Sequence, residues 1–321
     1  MKILITRKMP GDVVDRLKEK YEVEINESDK ILKKEELLEM VKGKDAILCF
    51  LTDMIDEDII EAADNLKVIS NFAVGYDNID IKAASSRGIP VTNTPGILTD
   101  ATADLAWGLI LATARKIVQG DKFVREDKFE GWDPTLMVGS EVYGKTLGII
   151  GMGKIGSAVA RRSLGFDMDI LYHNRSRKKK VEEELGAEKV DLETLLNKSD
   201  IVSLHVPLTD ETEGMISWNE LKMMKESAFL INTARGEVVV EEALIEALMS
   251  KKIAGAGIDV YSDEPYGANP DYYTLKNIVL TPHLGSASHR ARNGMAEMAV
   301  DNLINVLEGR GSDYVVNKDD L

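Results

Sequence analysis

A chain of 321 residues exceeds what one ordinary core requires, so two domains are expected, each long enough to bury a sizeable interior. Its 55 acidic residues against 40 basic ones leave a net charge of −15, which repels phosphate backbones and anionic lipid and so argues against nucleic acid or a membrane as partner. The 44% hydrophobic content suits a soluble globular protein, and a single cysteine, Cys49, excludes any intrachain disulfide, which fits a reducing, cytoplasmic compartment.

The opening run M-K-I-L-I-T is too short in its apolar part for a signal peptide and reads directly as a strand. Short β-branched runs follow at residues 3–6, 46–50, 68–71 and 90–93, separated by amphipathic helical stretches such as 12–20 and 34–42. That alternation predicts a parallel sheet with helices on its faces. Cys49 lies within the apolar run A-I-L-C-F-L and reads as a buried, inert thiol. Next comes T-D-A-T-A-D-L-A-W-G-L-I-L-A-T-A-R-K-I-V, a helix opened by Thr99 or Asp100 as N-cap and apolar on nearly every side, as a helix at a domain junction would be. A second alternating series occupies residues 146–150, 168–172, 200–204, 229–232, 253–258 and 278–280. The last helix, over 288–308, sets Met295, Met298, Leu303 and Val306 on one stripe that reads as core packing. No apolar run reaches the roughly 20 residues that cross a bilayer.

Between the first strand of the second series and its helix stands Gly151-Met152-Gly153-Lys154-Ile155-Gly156. A glycine triplet of this spacing is a weak signal alone. Its position, fed by T-L-G-I-I and followed by a helical pattern, makes it a turn that brings backbone N–H groups and a helix N-terminus to a pyrophosphate. A site selecting NAD supplies Asp or Glu to the ribose roughly 20 residues later. Here the next strand ends in Asn174, 18 residues beyond Gly156, followed by Arg175, Ser176 and Arg177. Two guanidinium groups and a hydroxyl in place of a carboxylate predict a pocket for a 2′-phosphate, hence NADPH as preferred cofactor with NADH second.

Three further residues follow strands of this series: Arg235 after F-L-I-N-T, Glu264 shortly after I-A-G-A-G-I-D-V, and His283 after N-I-V-L-T-P. Singly they read as a surface cation, a turn acid and a structural histidine. Together they lie past the carboxyl ends of strands of one sheet, where open α/β sheets bind ligands, and they supply what reduction of a 2-oxo acid needs.

The motifs L-H-V-P-L-T-D-E-T-E-G-M-I, A-F-L-I-N-T-A-R-G, D-V-Y-S-D-E-P and T-P-H-L-G, with V-G-Y-D-N-I-D and G-M-G-K-I-G, resemble those of the D-isomer-specific 2-hydroxyacid dehydrogenases over essentially the whole chain. The branch it most resembles is that of the glyoxylate/hydroxypyruvate reductases, given the N-R-S-R ending and the G-W-D-P segment. The resemblance implies two doubly wound parallel-sheet domains of α/β class, a Rossmann dinucleotide-binding domain (99–287) inserted into a flavodoxin-like substrate domain (1–98 and 288–321). It implies that Arg235 holds the substrate carboxylate and keto oxygen, that His283 gives a proton to that oxygen, and that Glu264, bonded to the ring, favours its charged form. Backbone N–H groups of Val74 and Gly75 would bind the carboxylate as well. Trp132 resembles a tryptophan that reaches into a partner subunit's pocket in a homodimer, with simple packing as its alternative. Thr102, Val206, Pro207, Thr233, Ala234, Asp259 and Gly285 match cofactor-lining positions, and Asp259 has turn-capping as its ordinary alternative.

His205 ends a strand and would face the cofactor, His173 lies toward the ribose region, and His289 opens the terminal helix. None has metal-ligand spacing, so no metal is expected. The expected reaction is reduction of glyoxylate or hydroxypyruvate. D-3-phosphoglycerate dehydrogenase or another D-2-hydroxyacid dehydrogenase is the second candidate, and a dinucleotide-sensing protein like the co-repressors of this fold the third.

Overall fold

β-Branched runs become parallel strands joined by helices throughout the computed structural model of the chain, which describes residues 1–265 and 267–321. In chain order the elements are β1 (Lys2–Ile5), α1 (Val13–Lys18), β2 (Glu22–Ile25), α2 (Lys34–Met40), β3 (Ala46–Phe50), α3 (Glu57–Ala62), β4 (Val68–Phe72), α4 (Ile81–Ser86) and β5 (Val91–Thr92). There follow α5 (Thr99–Ala114), α6 (Ile117–Arg125), β6 (Thr146–Ile150), α7 (Lys154–Ser163), β7 (Asp169–His173), α8 (Lys179–Leu185), β8 (Glu188–Lys189), α9 (Leu192–Lys198) and β9 (Ile201–Leu204). The last are α10 (Trp218–Met223), β10 (Phe229–Asn232), α11 (Glu241–Met249), β11 (Gly255–Ile258), β12 (Ile278–Leu280) and α12 (His289–Leu307).

These elements form two compact units, Met1–Leu98 with Ala287–Leu321, and Thr99–Ser286. The first holds a five-stranded sheet of order β2-β1-β3-β4-β5, every pair parallel, which is the flavodoxin-like order. Its interior gathers Leu4, Ile47, Cys49, Ile59, Ile69 and Val91, all without exposed surface, and α12 packs on β4 from its Met295, Ala299 and Leu303 side. Cys49 is fully buried and burial raises its thiol well above the ordinary range, so it is the inert thiol its apolar run suggests. Met298 and Val306 are only partly covered, so the expected stripe on α12 is narrower than its spacing implies.

The second unit carries seven parallel strands in the order β12-β11-β10-β9-β6-β7-β8. Strand order reverses between β6 and β9, the doubly wound arrangement that opens a crevice at the carboxyl edge. One face is covered by α9, α10 and α11 around Leu196, Leu230 and Leu244, the other by α5 and α7 around Leu109, Ile149 and Val159. On α5 the Trp107 indole donates to the Val159 carbonyl at 3.0 Å and stacks on Phe166, tying the helix to α7.

Two expectations for α5 are corrected. Thr99 and Asp100 lie inside its first turn rather than at the cap, where Asp100 complements the helix dipole. The helix also has an exposed edge, because Arg162 of α7 pairs there with Asp104 and Asp100. Strands β2 and β8 are edge strands that the apolar pattern does not reveal. Among the described residues no helix is long and apolar enough to cross a membrane.

Candidate active site

The second unit brings Glu264 and His283 into contact. Glu264 Oε2 and His283 Nδ1 stand 2.6 Å apart, with about a quarter of each side chain exposed. The other carboxylate oxygen of Glu264 accepts the Tyr261 backbone N–H at 3.0 Å, so the acid is held from its own loop while it faces the ring. With Nδ1 engaged, Nε2 is the ring atom left for a ligand.

His283 sits in the left-handed region, φ 52°, a conformation that costs a non-glycine residue of order 1–3 kcal/mol unless its surroundings over-determine it. Asp259 provides that determination. Its carbonyl accepts the His283 N–H at 2.9 Å, and its carboxylate accepts the N–H groups of Leu284 (2.7 Å) and Gly285 (2.9 Å) and the Thr281 hydroxyl (2.6 Å). Asp259 has no exposed surface, and burial pushes its carboxyl above the usual range although these donors pull the other way. The Tyr261 hydroxyl, pushed up to about 12 by burial and so a standing donor, holds the Thr281 carbonyl at 2.9 Å. Asp259 therefore performs the turn-fixing role that its position left open.

Arg235 follows β10 in an extended conformation and precedes a short 3-10 turn, Gly236–Val238. Asn232, at the last position of β10, accepts the Ala234 N–H at 3.0 Å and donates to the Arg235 carbonyl at 2.8 Å, fixing the loop. The guanidinium Nη1 donates to the Ala234 carbonyl at 2.8 Å. Arg235, Glu264 and His283 thus leave β10, β11 and β12, neighbours in one sheet, from the same carboxyl edge.

The glycine turn leaves β6 at the reversal of strand order. Gly151 has φ +97° and its missing Cβ would meet the His205 carbonyl oxygen at 2.5 Å, so only glycine serves there. At Gly156 a Cβ would meet the Gly151 carbonyl oxygen at 2.2 Å, which lets α7 start hard against the turn. Gly153 is the N-cap of α7 with no side-chain cap, and the space its Cβ would take is open. This leaves helix N–H groups and an uncluttered approach, the geometry a pyrophosphate requires. Near the carboxyl end of β10 the Thr233 hydroxyl is buried with no hydrogen-bond partner. Both features fit a bound dinucleotide.

The ribose-side loop is knotted more tightly than its sequence suggests. Asn174 folds back to donate to the Ser176 carbonyl at 2.8 Å. The buried Tyr172 hydroxyl accepts the Lys178 N–H and donates to Glu182 at 2.7 Å, and Glu182 takes the Arg177 Nε at 2.8 Å. Arg175 stands exposed at the loop. Tyr172 and Glu182 escaped sequence reasoning, for their partners are fixed only once α8 turns back on β7. Tyr261 escaped it for the same kind of reason, its partner lying on the loop after β12.

Other expected positions fall as follows. The Thr102 hydroxyl donates to the Gly285 carbonyl at 3.0 Å, joining α5 to the His283 loop. Val206 and Pro207 follow β9 after His205, with Val206 Cγ1 near Gly151. The His205 ring turns back onto the Ser203 hydroxyl at 2.9 Å, and burial lowers it to about 3, so it is neutral at physiological pH. His173 meets the Val190 carbonyl at 3.3 Å. Trp132 is 85% exposed, which removes packing within its own chain as an explanation. Val74 and Gly75 belong to the first unit, in the turn after β4. Among the described residues no group of three or more His, Cys, Asp or Glu is arranged to hold a metal ion.

Residues 107–285 match the model of the D-isomer specific 2-hydroxyacid dehydrogenase NAD-binding domain. The chain is 52% identical to the glyoxylate reductase of Thermococcus litoralis over 100% of its own length and 98% of that protein's. A solved protein of Thermus thermophilus superposes with a TM-score of 0.91 at 45% identity, covering 98% of this chain and 100% of that one. The NADPH-dependent glyoxylate/hydroxypyruvate reductase of Sinorhizobium meliloti, solved with NADP and malonate, does so with 0.87 at 32% identity over 98% and 96% of the two chains. With an acid–imidazole pair and an arginine on the sheet edge that carries the glycine turn, the chain belongs to the D-isomer-specific 2-hydroxyacid dehydrogenase family and is an NAD(P)-dependent oxidoreductase.

Proposed function

We propose that the protein reduces glyoxylate or hydroxypyruvate to the corresponding 2-hydroxy acid, with NADPH preferred over NADH. The observation that carries this reading is the 2.6 Å contact between Glu264 and His283, which commits Nδ1 and presents Nε2 to a reacting oxygen. When bound, the dinucleotide supplies the hydride that reaches the keto carbon. The keto oxygen then gathers negative charge, and the Nε2 proton of His283 goes to it, giving the hydroxyl. Glu264 balances the charge of the ring before that transfer. Arg235, whose planar fork matches a carboxylate, holds the substrate with its carbonyl toward His283. The N–H groups of Val74 and Gly75 are further donors for the carboxylate.

The NADPH preference rests on Asn174, Arg175 and Ser176 where a carboxylate would select NAD, and the Sinorhizobium relative is named NADPH-dependent. Glyoxylate and hydroxypyruvate are favoured over phosphorylated acids because the curated relatives of half-identical sequence bear the name glyoxylate reductase. A homodimer is part of the same reading. The segment that carries Trp132 also exposes Ile117, Val118, Val124, Phe129, Val138 and Tyr143, and α6 buries none of its residues, an apolar surface that a second copy would cover. Initial rates with NADPH and NADH against glyoxylate, hydroxypyruvate, pyruvate and phosphohydroxypyruvate test the proposal. Binding of NADPH without oxidation by any of the four would instead favour a dinucleotide sensor.

A further inference from the structure

The turn after β4 in the first unit has an asymmetry in its hydrogen bonds. Four consecutive carbonyls are occupied. Ala73 accepts from the Thr94 N–H (2.8 Å) and hydroxyl (3.1 Å), Val74 from the Asn93 amide (2.7 Å), Gly75 from the Asn71 amide (2.9 Å), and Tyr76 from the Ile79 N–H (3.0 Å). Two donors of the same turn stand outside this pattern. Among the described residues no acceptor is paired with the N–H of Val74 or Gly75.

The asparagines that hold these carbonyls are themselves braced. Asn71, with no exposed surface, also donates to the Asn78 side-chain oxygen at 3.1 Å, and Asn78 donates to the Phe50 and Asp53 carbonyls at 3.1 and 2.9 Å. The buried Asp53 carboxylate accepts the Phe50 N–H at 2.8 Å and the Thr6 hydroxyl. The network ties together the carboxyl ends of β1, β3 and β4, while Asn93 reaches the same turn from the end of β5. Carbonyls drawn inward on a fixed turn leave its amides facing outward, a concavity of donors suited to an anion.

We infer that Asn71 and Asn93 are positioning residues for the substrate carboxylate: Asn93, holding the Val74 carbonyl, aims the Gly75 N–H of the same peptide plane, Asn71, holding the Gly75 carbonyl, fixes the plane on the other side of Gly75, and Thr94 on the Ala73 carbonyl sets the Val74 N–H, so that the turn accepts an anionic oxygen in preference to a neutral one. This rests on the reading that Val74 and Gly75 bind the carboxylate of a 2-oxo acid. An ester or amide in that position forms weaker bonds to two neutral donors than an ionised group does.

The test uses the full-length enzyme with NADPH. In the wild type, oxalate added to the NADPH complex is expected to slow amide exchange in the peptide carrying Val74 and Gly75. Absence of that protection sinks the carboxylate reading itself. In Asn71→Ser and Asn93→Ser the KM for glyoxylate is expected to rise roughly tenfold or more, the loss that follows from misdirecting a hydrogen bond to a charged group, while the NADPH dissociation constant stays unchanged. The ratio of kcat/KM for glyoxylate over methyl glyoxylate should fall in parallel. Wild-type protection by oxalate with an unchanged KM and an unchanged acid-to-ester ratio in both variants overturns the inference. So does loss of NADPH binding in both, which would make the asparagines supports of the fold and not of the turn.

Discussion

Asp259 and His283 are joined twice, once through the Asp259 carbonyl, which accepts the imidazole residue's own N–H at 2.9 Å, and once through the carboxylate, which grips the next two amides. A carboxylate accepts in every direction, and no other side chain of that size can take two N–H groups and a hydroxyl together. Asp259→Asn keeps the shape but turns one acceptor into a donor that faces amides. The expected outcome is a loss of about 2 kcal/mol or more in stability from orphaned buried donors, together with a fall in kcat at unchanged NADPH affinity. Urea titration and steady-state rates measure both. A variant of wild-type kcat would show that the left-handed His283 does not depend on this grip.

His283→Ala removes the proposed proton donor, and kcat is expected to fall about 10²- to 10⁴-fold with the NADPH dissociation constant unchanged. Glu264→Gln leaves an oxygen able to accept from Nδ1 yet removes the charge beside the ring, so its loss should be smaller. In the double variant the two losses should fall well short of multiplying, because Glu264 acts through His283 and has nothing to act on once the ring is gone. Multiplicative losses in a double-mutant cycle would separate the pair into independent functions.

Much of this site is legible in the sequence because its parts are tied to strand ends. A central strand buried on both faces is a continuous apolar run, so β3, β6 and β10 announce themselves, and the residue just past each carboxyl end is located with them. The edge strands do not. In β2 the charges of E-V-E-I alternate with half-exposed apolar residues, and β8 is two exposed charged residues. Side-chain partners are illegible for a different reason. Arg177 stands in a basic run, and only the return of α8 onto β7 shows that Glu182 has claimed it. Trp132 belongs to a stretch whose apolar residues have no core of their own unit to face, a fact that spacing along the chain does not contain.

The pairing of Arg177 with Glu182 sorts the two guanidinium groups of the ribose loop. Glu182 holds Arg177 through both oxygens, at 3.1 and 2.8 Å, with the arginine two-thirds exposed, while Arg175 has no such carboxylate partner among the described residues and stands exposed on the loop. On the proposed NADPH preference, a 2′-phosphate would find Arg175 exposed and would have to draw Arg177 away from a carboxylate. Arg175→Ala is therefore expected to raise the KM for NADPH roughly tenfold while leaving that for NADH nearly unchanged, the loss of one charge-assisted contact. Arg177→Ala should do less. Equal KM changes for both cofactors in Arg175→Ala would remove the 2′-phosphate from this explanation.

Acid stability gives a test that needs no substrate. Burial lowers the His205 ring to about 3, against an ordinary 6.5 in the unfolded chain, so between those values the unfolded state binds a proton that the folded state refuses. Stability from this group is thus fully present above pH 6.5 and falls as the pH drops toward 3, by about 1.4 kcal/mol per pH unit at most. Asp53 and Asp259, both raised by burial, work in the opposite sense, since the folded state keeps their protons above the unfolded value and gains relative stability as the pH falls through that window. The comparison that isolates His205 is therefore between wild type and His205→Gln, which retains a group able to bond Ser203. Urea midpoints measured from pH 7.5 to 4.5 should diverge below pH 6.5, with the variant losing less. Parallel midpoints over the whole range would mean that the ring finds solvent, or another partner, once it is protonated.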